Sequence, residues 1–228
     1  MKTIGVLGGM GPSASLDFYR MLIEQSDGQT NEGYPHILLS NLPVPDFIED
    51  RSREEEAVQM VEDEARKLEQ AGADFLVITC NTMHLHLDRF QNVVSIPFIS
   101  MIDAVVDCVR GDGFDCVGLL GSPTTICSGL YQEPLKHLGI KVIIPNEGDQ
   151  SFITHTIFRI IAGKADTHDS LKISMIIDRL RCAGGQGVIL GCTELPLLVS
   201  EMDLSVPLFK SSEILAKRAF CEAFLRRI

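Results

Sequence analysis

An internal repetition constrains this chain more than any other feature. Ile4-Gly5-Val6-Leu7-Gly8 is echoed by Val117-Gly118-Leu119-Leu120-Gly121, with Gly118 standing 113 residues after Gly5. The run from Ala71 to Thr82 (AGADFLVITCNT) is echoed from Ala183 to Glu194 (AGGQGVILGCTE), 112 residues on. Ile96-Pro97-Phe98 and Val206-Pro207-Leu208 form a third pair, 110 residues apart. Three matches in one order, at nearly constant spacing close to half of 228 residues, mark a duplicated unit.

Short aliphatic runs alternate with longer amphipathic stretches, the pattern of βα units around a mostly parallel sheet. Strands are expected at 3–7, 36–42, 75–79, 98–100, 116–120, 141–144, 187–190 and 208–209, and helices at 13–25, 54–71, 102–109, 129–138, 151–162, 169–183 and 212–226. The fold class is therefore α/β: two pseudo-symmetric parallel-sheet α/β domains. Duplication predicts a pseudo-twofold axis and an active site in the cleft between the domains, a usual place for a small ligand.

Charge narrows the partners. Lys+Arg 20 against Asp+Glu 31 leaves a net charge of −11, a field that repels nucleic-acid backbones and anionic lipid. No apolar run approaches the roughly 18 residues of a membrane span. MKTIGVLGGMGP is broken by glycines and Pro12, unlike a secretory signal, so a cytoplasmic location is expected. Seven cysteines then read as reduced thiols rather than a disulfide framework.

Two of those thiols carry chemistry. Cys80 and Cys192 occupy matching places in the repeat, each after an apolar strand and before a polar turn expected to open a helix. Ligands of parallel sheets bind at the carboxyl ends of strands. A helix amino terminus there would favour the thiolate and hold a carboxylate. Filler is the alternative for a single buried cysteine; the repeat-related placement of two argues against it. Facing thiols are what stereoinversion without a cofactor requires: one removes a Cα proton and the other returns a proton to the opposite face. The carbanion needs oriented N–H and hydroxyl donors at its carboxylate, and Asn81, Thr82, Thr124, Thr125 and Thr193 stand in suitable loops, with helix capping as the plain alternative.

Gly8-Gly9-Met10-Gly11-Pro12-Ser13-Ala14 satisfies the relaxed dinucleotide fingerprint when read from Gly9. The acidic ribose partner expected at the end of the second strand is missing: that strand ends near Asn41-Leu42-Pro43, and Asp46 lies beyond two prolines. The turn, Gly11 included, reads instead as a backbone loop whose N–H groups meet a small anion. His84, four residues after Cys80, either tunes the thiol or packs; Glu194 either orients Cys192 or caps a helix. His36, His86, His137, His155 and His168 show no metal-ligand spacing, and there is no Cys-x-x-Cys, so no metal is expected. The acidic stretch from Glu49 to Glu56, with Arg51 and Arg53 inside it, reads as a solvated helix start.

GGMGP at 8–12, CNTMH at 80–84, LLGSPTTICSGLY at 119–131 and GCTELP at 191–196, taken together, resemble the aspartate/glutamate racemase family over essentially the whole chain. That resemblance implies a cofactor-independent amino-acid racemase, commonly a homodimer, with Cys80 and Cys192 catalytic. It implies that the last strand and helix return to the first domain, giving domains 1–98 plus 208–228 and 99–207. It places Met10, Asn81, Thr82, Thr124, Thr125 and Thr193 around the substrate α-carboxylate and ammonium. Acid-specific members use basic residues for the distal carboxylate; here Phe47 follows Pro45-Asp46 where some members have Arg, leaving Arg51 and Lys164 as candidates. The related reactions of maleate isomerases, hydantoin racemases and arylmalonate decarboxylases, racemisation of a non-acidic amino acid, and a binding module without turnover are the competing readings.

Overall fold

The computed structural model describes residues 1–26, 31–45, 51–199 and 204–225. In chain order it contains β1 (Ile4–Gly8), α1 (Pro12–Glu24), β2 (Ile37–Asn41), α2 (Glu54–Gln70), β3 (Phe75–Ile78), α3 (Leu87–Gln91), α4 (Met101–Gly111) and β4 (Cys116–Gly121). These are followed by α5 (Pro123–Cys127), α6 (Gln132–His137), β5 (Lys141–Ile143), α7 (Glu147–Ile161), α8 (Thr167–Cys182), β6 (Gly187–Gly191), β7 (Leu208–Lys210) and α9 (Ser211–Phe224). Two compact units result, residues 1–101 with 212–228, and residues 102–211.

In the first unit the parallel sheet has the order β2-β1-β3; β1 and β3 are buried along their whole length and read as continuous apolar runs, whereas the edge strand β2 is partly exposed. Leu7, Leu76 and Ile78 join Ala57, Val58, Val61 and Ala65 of α2 on one face. Ile4, Val6, Phe75 and Val77 join Phe18 and Leu22 of α1 and Leu215, Ala216 and Ala219 of α9 on the other. Side chains alternating along β1 and β3 thus serve two separate clusters. Gly5 is small because a Cβ there would lie 2.5 Å from Leu76 Cδ2.

The second unit is built around a parallel sheet of order β5-β4-β6-β7, with α8 packed on β4 and β6. Repetition extends to individual hydrogen bonds. Leu76 N–H donates to the Pro97 carbonyl at 2.9 Å, and Val188 N–H donates to the Pro207 carbonyl at 2.9 Å. Thr3 N–H donates to the Asp74 carboxylate at 2.7 Å, and Cys116 N–H donates to the Gln186 side-chain oxygen at 3.1 Å.

Three expectations are corrected. The strand expected at 98–100 is reduced to an isolated parallel bridge, Leu76 with Phe98. Its repeat mate does form a strand, β7, but β7 pairs with β6 inside the second sheet and does not return to the first unit. Only α9 returns, its apolar face completing the cluster over Ile4 and Val6. The helix expected at 129–138 is shortened to α6, which starts only at Gln132, because Gly129 at φ +75 breaks the chain before it; the separate helix α5 lies upstream of the expected span. No described helix is long and apolar enough to cross a membrane.

Candidate active site

Cys80 follows β3 and Cys192 follows β6, and each residue is 9% exposed. Neither opens an α-helix, contrary to expectation. Cys80 leads into a five-residue 3-10 helix, Thr82–His86, and Cys192 into a three-residue one, Leu195–Leu197. Such short turns carry little aligned dipole, so a helix macrodipole does not activate either thiol.

Around Cys80 the polar groups form a fixed lattice. His84 Nε2 accepts the Met101 N–H at 3.0 Å, which leaves the ring proton on Nδ1, donated to the Cys80 carbonyl at 2.8 Å. The imidazole is therefore a neutral bracket between the Cys80 carbonyl and the Met101 N–H. The turn after β1 is tied to the same strand end. Ser15 Oγ accepts the Gly9 N–H at 2.9 Å and lies 3.0 Å from both the Gly11 carbonyl and Thr79 Oγ1. Gly9 N–H is thus occupied within the protein. Gly9 sits at φ +95, where a Cβ would lie 2.4 Å from the Leu42 carbonyl oxygen, so the turn demands glycine. Met10 is half-buried against the α2-side cluster, and Gly11 is the N-cap of α1. Asn81 and Thr82 are buried beside Cys80; Asn81 starts the 3-10 turn without capping it through its side chain.

Around Cys192 the arrangement differs. The Cys192 Sγ–H donates to Glu194 Oε2 at 3.0 Å, and Thr193 Oγ1 donates to the same oxygen at 3.2 Å. Glu194 is 5% exposed and makes no side-chain capping bond to the turn it precedes, so the choice between orienting and capping falls to the thiol. Thr125 and Thr124 are buried in α5; Thr125 bonds to the capping Ser122 through both its N–H and its hydroxyl. Behind Cys192, the fully buried Tyr131 bonds to Ser211, whose hydroxyl donates to the Leu190 carbonyl at 2.9 Å. Burial pushes the Tyr131 phenol far up, so it stays protonated. Gly191 leaves room for that ring, since a Cβ there would lie 3.1 Å from it.

The candidate distal residues are placed less clearly. Arg51 is half-exposed and grips Glu54 through two hydrogen bonds of 2.8 and 2.7 Å, which holds the Glu54 carboxyl below the usual range. Lys164 is exposed beyond the end of α7. Asp46, Phe47 and Glu49 lie outside the described residues. Ser15, Thr79, Tyr131 and Ser211 were missed by sequence reasoning, since an isolated hydroxyl carries no pattern; only the position of Ser15 in the first turn after the glycines was a signal. Asp166, His168 and Asp169 bring three ligand atoms within 4.8 Å, but both carboxylates already serve the α8 capping box and Arg159.

The family described as Asp/Glu/Hydantoin racemase matches residues 7–219. The chain belongs to that family. It is a racemase of that family, an enzyme of the isomerase class. A broad specificity amino-acid racemase, RacX of Bacillus subtilis, is 27% identical over 218 residues, covering 94% of this chain and 95% of the relative. Among solved structures, an aspartate racemase from Picrophilus torridus superposes with TM-score 0.88 at 29% identity, covering 100% of this chain and 96% of that one. An aspartate racemase homologue from Pyrococcus horikoshii OT3 gives TM-score 0.83 at 33% identity, covering 98% and 99%.

Proposed function

We propose that this member of the racemase family inverts the Cα centre of an amino acid, aspartate or glutamate in the first instance, without a cofactor. Cys80 and Cys192 act as the two acid/base groups. One sulfur, as thiolate, takes the Cα proton; the electron pair passes into the substrate carboxylate; the other sulfur, as thiol, gives its proton to the opposite face. Asn81, Thr82, Thr124, Thr125 and Thr193 supply donors near the two thiols, and oriented donors are what make a weakly acidic Cα–H removable. The observation that carries the reading is the pair of buried thiols at the ends of repeat-equivalent strands, β3 and β6.

Substrate choice follows from the basic residues. An acidic substrate is read by Arg51 or Lys164 at its distal carboxylate, as the resemblance implies. One observation favours a second reading, a non-acidic amino acid: the Arg51 guanidinium is already engaged by Glu54 in a forked pair. The same proposal includes a homodimer in the cytoplasm, checked by analytical ultracentrifugation and cell fractionation.

Proton NMR in deuterated water tests both readings, following loss of the Cα–H signal from a panel of L- and D-amino acids. Exchange of aspartate or glutamate supports the acidic substrate; exchange confined to neutral or basic amino acids transfers the reaction to the second reading. No exchange from any amino acid overturns racemisation and directs attention to maleate, hydantoins and malonates.

A further inference from the structure

The two thiols stand in matching places but have unlike neighbours. Two residues after Cys192 comes Glu194, a buried carboxylate that accepts the Sγ–H hydrogen bond at 3.0 Å. Two residues after Cys80, at the repeat-equivalent position, comes Thr82, which carries no ionisable group. An acceptor carboxylate on a sulfur stabilises the protonated sulfur twice over. It accepts the S–H hydrogen bond, and its negative charge opposes a thiolate at the same distance. Thr193 Oγ1 donates to the same Oε2 and so helps keep that oxygen an acceptor. The Cys80 backbone, by contrast, is held by a neutral imidazole.

We infer that Glu194 holds Cys192 in the thiol form, so that the resting enzyme presents Cys192 as its acid and leaves the base role to Cys80. This rests on the two-cysteine reading above. In the step it describes, the Cα–H bond breaks toward the Cys80 thiolate, forming Cys80 S–H. The electron pair enters the substrate carboxylate and returns to Cα as Cys192 S–H gives its proton to the other face, leaving Cys192 as thiolate beside Glu194. That product form is the less stable of the two, and return to rest moves a proton from Cys80, through solvent, back to Cys192. In this role Glu194 acts through the Cys192 sulfur, so it is a positioning residue.

The test uses the whole wild-type protein, Glu194→Gln and Glu194→Asp. Each is pulsed with iodoacetamide across pH, and Cys80 and Cys192 alkylation are followed separately by peptide mass spectrometry. In wild type, Cys80 alkylates at lower pH than Cys192. In Glu194→Gln the charge is gone and the amide can donate to sulfur, so the Cys192 midpoint falls by about one pH unit, roughly tenfold faster alkylation at neutral pH; Cys80 is unmoved. Glu194→Asp, with its carboxylate drawn back by one methylene, falls between them, and matched circular dichroism spectra show all three folded. A second readout follows Cα-deuterated substrates of both hands. Glu194→Gln makes the two isotope effects diverge, whereas a merely structural loss leaves their ratio unchanged. An unmoved or rising Cys192 midpoint in Glu194→Gln overturns the inference. If wild type exchanges no Cα proton, the racemase reading falls while the alkylation result still decides the role of Glu194.

Discussion

Ser15 Oγ and Thr79 Oγ1 lie 3.0 Å apart, and that contact joins the glycine turn after β1 to the residue preceding Cys80. Ser15 also accepts the Gly9 N–H, so one buried hydroxyl serves two loops of the first unit. Ser15→Ala removes an acceptor from Gly9 and a partner from Thr79. It should cost about 1 to 2 kcal/mol in urea unfolding. Because Thr79 adjoins Cys80, Cα–H exchange should fall as well. A variant with wild-type stability would show that the contact contributes nothing net.

Gly9→Ala should be worse. The residue would be forced to φ +95 with its Cβ 2.4 Å from the Leu42 carbonyl oxygen, a backbone atom that cannot swing aside. A cost above about 2 kcal/mol is expected, combining strain and overlap. Thermal unfolding measures it; Gly72→Ala is the informative control, since φ there is +97 but no atom lies within 4 Å of the added Cβ. The difference between the two variants isolates the overlap with Leu42.

His84 is fixed by Cys80 and Met101 together, and removing its ring should unsettle both. His84→Phe keeps the apolar bulk but leaves the buried Met101 N–H without its acceptor and the Cys80 carbonyl without its donor. Loss of about 2 to 4 kcal/mol is expected by chemical denaturation. His84→Gln, which keeps a donor and an acceptor, should recover part of it. Equal loss in both variants would assign the effect to ring packing rather than to the two hydrogen bonds.

How far these features were legible depended on whether they had a period. The parallel sheets were readable because β1, β3, β4 and β6 are buried on both faces and therefore uninterrupted in apolar character. Cys80 and Cys192 stood out because the repeat set them in register. The repeat also held the answer for β7: Leu208 matches Phe98, which lies beside Leu76 of its own unit, so Leu208 belongs beside Val188 of its own. Family-level expectation had sent it elsewhere. Ser15 and Tyr131 were not legible, because their partners, Thr79 and Ser211, are 64 and 80 residues away in sequence and no local pattern links them. The polar turns after Cys80 and Cys192 looked like helix starts; Pro196 in the second and His84 bonding back to the Cys80 carbonyl in the first accompany turns that remain short.

Asp169 supplies the pH prediction. It is 3% exposed at the start of α8, accepts the Asp166 N–H at 3.0 Å, and pairs with Arg159 at 2.8 Å. Burial by itself would raise its carboxyl, but the Arg159 and Asp166 hydrogen bonds outweigh it and hold the group below the usual range. A group with a depressed folded value contributes stability that is complete above its unfolded value, near 3.9, and is lost as pH falls through the folded value. Asp169→Asn can still accept the Asp166 N–H but has no charge to offer Arg159. At neutral pH it should cost about 1 kcal/mol, the scale of a weakened helix cap. Below about pH 4 the difference between wild type and variant should shrink, because protonation removes the same charge. Urea midpoints measured from pH 7 to pH 3 check this; parallel curves across the whole range would mean that Asp169 contributes through its shape and not its charge.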